Sequence, residues 1–275
     1  MRKLLPIIVV AAAVAAGAYV WFVRARREPT PTGPVLVAAF LPSELGNAIV
    51  FVTPDRRFVV VDPGPRSSAG ALVSYLHRRG AKSLDVIVTN PIDKHTGALA
   101  ALADSFEIRR VIHGSRTWQG VTGKSNRPIA EVVLKAGDSI RLSQRVRLEA
   151  LNPPAEQESA TPRPLVARIT YGRTRFLLAS DALVEDEAYM IRSGADLRST
   201  VLVVPRHGRY GSTSLELLSL VRPEYCVVLV GKGSDRPSRV VLQRIKTENT
   251  GAQVYRTDLH GPIHMTTNGR TIRIE

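Results

Sequence analysis

The chain is poor in cysteine and in acids. Cys226 is its single cysteine, so an intramolecular disulfide framework and a cysteine-based zinc cage are both excluded. Asp and Glu number 24 against 38 Lys and Arg, giving a formal charge of +14 and a pI near 10.6. That imbalance suggests an anionic partner or surface, such as nucleic acid or lipid headgroups, and says nothing about fold. No internal repeat of short period occurs, and no nucleic-acid module such as an RNP element or a zinc finger is present. Hydrophobic residues fill 44% of the 275 positions, enough for a sizeable core and too many for a disordered chain. The length suits one large domain or two small ones.

Charge is absent from Leu4 to Val23, a 20-residue apolar run flanked by Arg2 and Lys3 on one side and Arg24, Arg26 and Arg27 on the other. About 20 apolar residues span a bilayer as a helix. The Trp21-Phe22 pair before the arginines suits an interfacial anchor. A cleaved signal peptide, with Ala15-Ala16-Gly17-Ala18 imitating a cleavage site, is the alternative. Residues 1–28 therefore read as a membrane anchor and 29–34 as a proline-rich linker. The short N-terminal tail favours a single-pass cell-membrane protein with residues 35–275 extracytoplasmic, although the arginines after the span argue the other way. Residues 1–28 hold five bases and one acid, which leaves +10 on the remainder.

Strands and helices alternate through that remainder. Val35–Leu41, Ala48–Thr53 and Phe58–Asp62 are short apolar runs separated by turn residues, hence strands. Ser67–Arg79 has helical spacing and stops at Gly80. Leu84–Thr89 reads as a strand, His95–Phe106 as a helix and Arg110–His113 as a strand. Ala130–Leu151 reads as a hairpin turning at Ala136-Gly137-Asp138, Asn152–Pro164 as a loop, and Leu165–Ala179 as a further hairpin. Helices at Val184–Arg192, Ser212–Val221 and Ser238–Asn249 alternate with strands at Val201–Val204 and Cys226–Val230, before a terminal hairpin over Val254–Ile274. The pattern predicts an α/β chain with two sheets face to face and helices outside, a four-layer αββα sandwich.

Eight segments, in order, carry a resemblance. They are FLPSELGNAIV (Phe40–Val50), VVVDPGP (Val59–Pro65), VTNPIDKHTGAL (Val88–Leu99), LVARITYG (Leu165–Gly172), FLLASD (Phe176–Asp181), VPRHGRYGSTS (Val204–Ser214), RPSRVVLQRI (Arg236–Ile245) and RTDLHGPI (Arg256–Ile263). Together they resemble the metallo-β-lactamase-fold domain at the C-terminus of ComEC competence proteins, over nearly all of residues 36–275. The resemblance implies a pair of divalent metals held by histidines and carboxylates at strand ends. Such metals lower the pKa of bound water until hydroxide attacks a phosphodiester or ester.

Against that pattern many ligand positions are changed. Asp62, His95, Asp181 and His207 match it. Asn90 stands for the first loop histidine, Ile92 for a ligand two places on, and Lys94 for the aspartate before His95. Arg206 replaces the first histidine of a pair, Arg236 a helix-starting histidine, and Pro42 and Asn47 two acids of the opening strand. Isoleucine cannot ligate, and a lysine ammonium repels a dication beside it. Asp93 lies one place from Lys94 and is a substitute candidate. The expectation is a degenerate metallo-hydrolase relative with impaired or absent two-metal catalysis, whose pocket of Asp62, Asn90, Asp93, Lys94, Arg206 and Arg236 takes an anion or phosphate. One alternative is a single zinc or manganese on His95, Asp181 and His207 serving a phosphodiesterase-like hydrolase. Another is a non-enzymatic module for DNA uptake or envelope interactions, with nucleic acid as partner. Plainer roles are open for two of these residues. Asp62 before Pro63-Gly64 suits a turn, and His95 suits a helix start.

Overall fold

The computed structural model describes residues 33–45, 47–114, 118, 120, 129–154, 163–248 and 251–275. The apolar run Leu4–Val23, most of its linker and the middle of the Asn152–Pro164 loop lie outside the described residues. Among the described residues, no helix is long and apolar enough to cross a membrane.

Two sheets form the centre. The first contains β1 (Leu36–Phe40), β2 (Ile49–Val52), β3 (Phe58–Val61), β4 (Ser83–Val88), β5 (Glu107–His113), β6 (Ala130–Val133), β14 (Ile263–Thr267) and β15 (Ile272–Ile274), in the order β15-β14-β1-β2-β3-β4-β5-β6. The second contains β7 (Ser139–Arg141), β8 (Val146–Asn152), β9 (Val166–Tyr171), β10 (Thr174–Leu178), β11 (Val201–Val203), β12 (Tyr225–Val228) and β13 (Gln253–Arg256), in the order β13-β12-β11-β10-β9-β8-β7. Alternate side chains of each strand point to opposite faces, and here both faces are covered. Phe40, Phe51, Leu148, Ile169 and Phe176 fill the space between the sheets, where the Phe51 and Phe176 rings meet edge to face at 5.4 Å.

Helices Ala69–Arg78 and Leu99–Ser105 bury Leu72, Leu76, Leu99 and Leu102 on the outer face of the first sheet. Helices Val184–Arg192, Leu215–Val221 and Arg239–Glu248 bury Met190, Leu217, Leu218, Val241 and Ile245 on the second. Cys226 is a buried apolar residue of this layer. Coverage on both faces explains why strands such as FVVV read as continuous apolar runs rather than alternating ones. The four-layer αββα expectation holds for the described residues.

Three local expectations need correction. Ala130–Leu151 is not one hairpin: β6 pairs parallel with β5 in the first sheet, whereas β7 pairs antiparallel with β8 in the second. Gly137, at φ +92°, does make a turn, held by Lys135 N–H donating to Asp138 Oδ2 at 2.8 Å. That turn carries the chain between sheets, because a local turn signal cannot say which strand the chain pairs with next. The terminal hairpin fails likewise at its first strand. β13 pairs parallel with β12, and the chain re-enters the first sheet through the turn Thr257–His260, leaving only β14 and β15 as the hairpin. The helix expected over His95–Phe106 is two pieces, Asp93–Thr96 and Leu99–Ser105, interrupted at Gly97-Ala98.

Candidate functional site

Strand ends build the site. Asp62 follows β3, Thr89 and Asn90 follow β4, Ser180 and Asp181 follow β10, His207 follows β11 and Leu229 follows β12. All belong to the carboxyl ends of their strands, where α/β sheets place ligands. Positive φ is uncommon outside glycine, yet Asp62 (+48°), Ser180 (+42°), Arg206 (+53°) and His207 (+58°) all adopt it here. Backbone strain concentrated at a cleft is a mark of a functional region.

The short turn Asp93–Thr96 carries His95 inward. Its packing on the loop after β3 is tight, with Gly64 N–H donating to His95 O at 3.1 Å and Ala98 N–H to Gly64 O at 2.9 Å. A Cβ on Gly97 would meet Arg66 N at 2.6 Å and Asp93 O at 2.8 Å, both backbone atoms. Gly97→Ala is expected to cost about 1–3 kcal/mol, the usual range for overpacking, read as a lower midpoint in urea unfolding. An unchanged midpoint would mean that the His95 turn is not clamped.

His95 lies between two carboxylates. Its Nε2 donates to Asp181 Oδ2 at 3.0 Å. Its Nδ1 is 3.0 Å from Asp62 Oδ2 but off the line of a hydrogen bond, so that contact is a charge pairing. Burial alone would depress the imidazole, but the Asp62 charge and the hydrogen bond and charge of Asp181 outweigh it and raise the pKa to about 10. His95 is therefore an imidazolium at neutral pH and a poor general base.

Asp62 is fixed on its other side. Thr89 N–H donates to Oδ1 at 2.8 Å and Thr89 Oγ1 donates to Oδ2 at 2.5 Å, while Ser180 Oγ contacts Thr89 Oγ1. Asp62 thus ties two strand ends together as well as facing His95.

Asp181 is more crowded. Its Oδ2 receives Asn90 Nδ2 at 3.1 Å, His95 Nε2 at 3.0 Å and the Lys94 ammonium at 3.2 Å. Burial would raise its pKa, but His95 and Lys94 hold it well below the usual carboxylate range.

His207 is separate from this network. Its Nδ1–H donates to Leu229 O at 2.6 Å, which leaves the Nε2 lone pair free. Burial lowers its pKa, against the effect of that hydrogen bond, so the ring is neutral.

These residues line a cleft of about 200 Å³. Ser43, Asn47, Asp62, Thr89, Lys94, His95, Ser180, Asp181 and His207 make its polar wall, and Ile49, Val61, Leu178, Val203 and Leu229 are among its apolar residues. Of the expected pocket residues, Asp62 and Lys94 line it directly, and Asn90 contacts Asp181 from behind. Asp93 is exposed at the start of its turn and outside the lining. Arg206 contributes its backbone N–H to Ser180 O at 2.6 Å, with its side chain outside the lining. Arg236 sits beside Asp235 at 3.8 Å, also outside. The expected cluster of pocket cations thus reduces to Lys94 and the His95 imidazolium. Ser43, Thr89, Ser180 and the apolar residues were missed by sequence reasoning. Thr89 and Ser180 each end an apolar strand beside an expected site residue, and that adjacency was the available signal.

The donor set does not suit a resident metal. Among the described residues, no three His, Cys, Asp or Glu side chains form a metal-holding group. The single-metal candidates His95, Asp181 and His207 do share the cleft. However, His95 and Asp181 are bonded to each other, and the Lys94 ammonium already occupies a cation's place against Asp181 Oδ2.

Comparison with known proteins agrees with this fold. A family model described as the metallo-beta-lactamase superfamily matches residues 42–232. ComE operon protein 3 of Bacillus subtilis is 24% identical over 202 residues, covering 70% of this chain and 26% of its own length. Competence protein ComA of Neisseria gonorrhoeae is 25% identical over 261 residues, covering 88% of this chain and 34% of its own. The chain thus spans about a quarter to a third of those relatives. Among solved structures, the diiron β-hydroxylase CmlA of Streptomyces venezuelae matches with a TM-score of 0.57 at 12% identity, over 87% of this chain and 55% of that one; at that identity the likeness concerns fold alone. The two facing sheets, the cleft at their strand ends and the family match over residues 42–232 agree: the chain belongs to the metallo-beta-lactamase superfamily.

Proposed function

We propose that this chain is a membrane-anchored, degenerate relative of the metallo-hydrolases of its superfamily, in which a protein-only charge cluster stands where metals would act. The observation that carries this reading is the Lys94 ammonium 3.2 Å from Asp181 Oδ2. With His95 protonated, Asp62, Lys94, His95 and Asp181 sum to zero charge, so no uncompensated negative charge remains to attract a dication. The cleft then binds rather than hydrolyses. Lys94, whose side chain is 51% exposed, serves an anionic group of the ligand, while the apolar lining receives its body. A small amphipathic carboxylate or phosphate fits this combination. The relation to competence proteins makes a role beside DNA uptake or in the cell envelope a natural setting. Elemental analysis of the purified full-length chain, paired with a phosphodiesterase assay, tests the reading. Zinc and manganese well below one per chain, with no turnover, are expected. Stoichiometric metal accompanied by metal-dependent turnover would sink the proposal.

A further inference from the structure

Most of the net positive charge lies away from the cleft. At the opposite end of the second sheet, where β10, β11 and β12 begin, a polar groove of about 830 Å³ is lined by Arg173, Arg175, Arg198, Arg222 and Arg270, with Glu224 as its one acid. Arg175 is paired with Asp196 at 2.6 Å, and Arg222 donates to Ser219 O at 3.0 Å. Arg173, Arg198 and Arg270 are exposed, and none has an acidic partner among the described residues. Two turns are locked together to assemble this surface. Arg173 N–H donates to Gly269 O at 2.6 Å, and a Cβ on Gly172, at φ +58°, would meet that same oxygen at 2.7 Å. Bare backbone on both turns thus brings Arg173 and Arg270 side by side. Arg56, in the turn between β2 and β3, extends the charge on the first sheet at this end.

The chain also enters the sandwich at this end. Leu36 opens β1 opposite Thr267, next to the turn bearing Arg270. Tyr171 Oη donates to Pro34 O at 2.6 Å, which pins the entering segment against the turn bearing Arg173. Residues 24–33 separate Pro34 from the apolar run Leu4–Val23 and add Arg24, Arg26 and Arg27. Even fully extended, that stretch reaches only roughly 40 Å at 3.3–3.6 Å per residue. If the run anchors the chain, the arginine-lined end stays near the bilayer surface.

We propose that this end of the sandwich docks on anionic phospholipid headgroups, which holds the cleft facing away from the membrane. The inference rests on the anchoring part of the function proposed above. It selects lipid over nucleic acid because the tether leaves from the same end as the exposed arginines. Each arginine near an anionic surface favours docking by about five-fold, so reversing three charges shifts the balance by at least roughly 100-fold.

Cys226 is buried, so single introduced cysteines can carry a fluorescent donor. Thr271→Cys marks the arginine end and Lys232→Cys the cleft end, both at exposed positions. The full-length chain is reconstituted into vesicles of phosphatidylcholine, with or without phosphatidylglycerol, bearing a headgroup acceptor. Retention on pure phosphatidylcholine reports the anchor alone. Docking predicts strong energy transfer from Thr271→Cys and weak transfer from Lys232→Cys with phosphatidylglycerol present. High salt and the Arg173→Glu/Arg198→Glu/Arg270→Glu variant should abolish the difference. The triple alanine variant, a milder change, should give an intermediate loss while circular dichroism stays unchanged. Arginine-dependent recruitment to phosphatidylglycerol without retention on phosphatidylcholine would support docking while removing the anchor. Equal transfer from the two ends, no response to charge reversal, or arginine-dependent capture of duplex DNA without any phosphatidylglycerol response would overturn it.

Discussion

His95→Ala is expected to lower the unfolding free energy by about 3–5 kcal/mol, the range for removing one partner of a buried ion pair. The His95 side chain is 8% exposed and those of Asp62 and Asp181 are 15% exposed, so water does little to replace the imidazolium. Both carboxylates would be left facing one another across the vacated space, with Lys94 able to serve only Asp181. Urea unfolding of His95→Ala, Asp181→Ala and the double variant measures the effect. The double variant should lose less than the sum of the singles, because the charge that each single variant strands is absent. Additive losses would show that the cluster is not coupled.

The same cluster sets a pH dependence with a definite sign. The folded pKa of His95 is raised to about 10 from its ordinary 6.5. Its stabilising contribution is therefore complete below pH 6.5 and is lost as pH rises through 10. Asp181 is depressed below its ordinary 3.8, so its contribution is present above that value and is lost as pH falls. Stability is expected to be greatest between pH 3.8 and 6.5 and to fall along an alkaline limb from 6.5 to about 10, and His95→Ala should remove the His95 part of that limb. An alkaline limb unchanged in the variant would mean that His95 is neutral in the folded protein.

Lys94→Asp has the second large expected effect, on metal affinity rather than stability. The replacement turns a unit positive charge beside Asp181 into a negative one and restores the carboxylate that the family resemblance places there. Against a dication at about 4 Å, the change in charge product is worth about 4 kcal/mol even at the dielectric constant of water, or roughly 1,000-fold in affinity. The water value is the appropriate floor, because half of the Lys94 side chain is exposed. Zinc titration by calorimetry against a chelator should show weak binding to the native chain and tight binding to Lys94→Asp, with Lys94→Ala between them. Equal affinity in all three would remove the lysine from any role in excluding metal.

The legible part of this site was local. Asp62, His95, Asp181 and His207 were identified through the family resemblance, because each sits in a short motif that matches it; Asp62 and Asp181 also directly close or follow short apolar runs. Lys94, where the resemblance implies an aspartate, was also visible as a base beside His95. Side-chain direction was not legible. Arg206 and Arg236 stand where the family resemblance implies histidines, yet their side chains fall outside the cleft lining. At Arg206 a left-handed backbone conformation accompanies this placement, and Arg236 sits beside Asp235.

By itself the sequence determined the alternation of strands and helices, the burial of both sheet faces and the residue types at the strand ends. These follow from side-chain period, turn residues and charge, all of which act over a few neighbouring positions. Only the tertiary structure decided that β6 and β7 belong to different sheets, that β13 joins β12, and that Asp181 is shared by Asn90, Lys94 and His95. It also located three arginines that have no acidic partner among the described residues together at the end where the chain enters. The reason is the same in each case: pairing and charge compensation depend on groups brought together from distant parts of the chain. No local pattern encodes which of several chemically suitable partners the folded backbone will bring within reach.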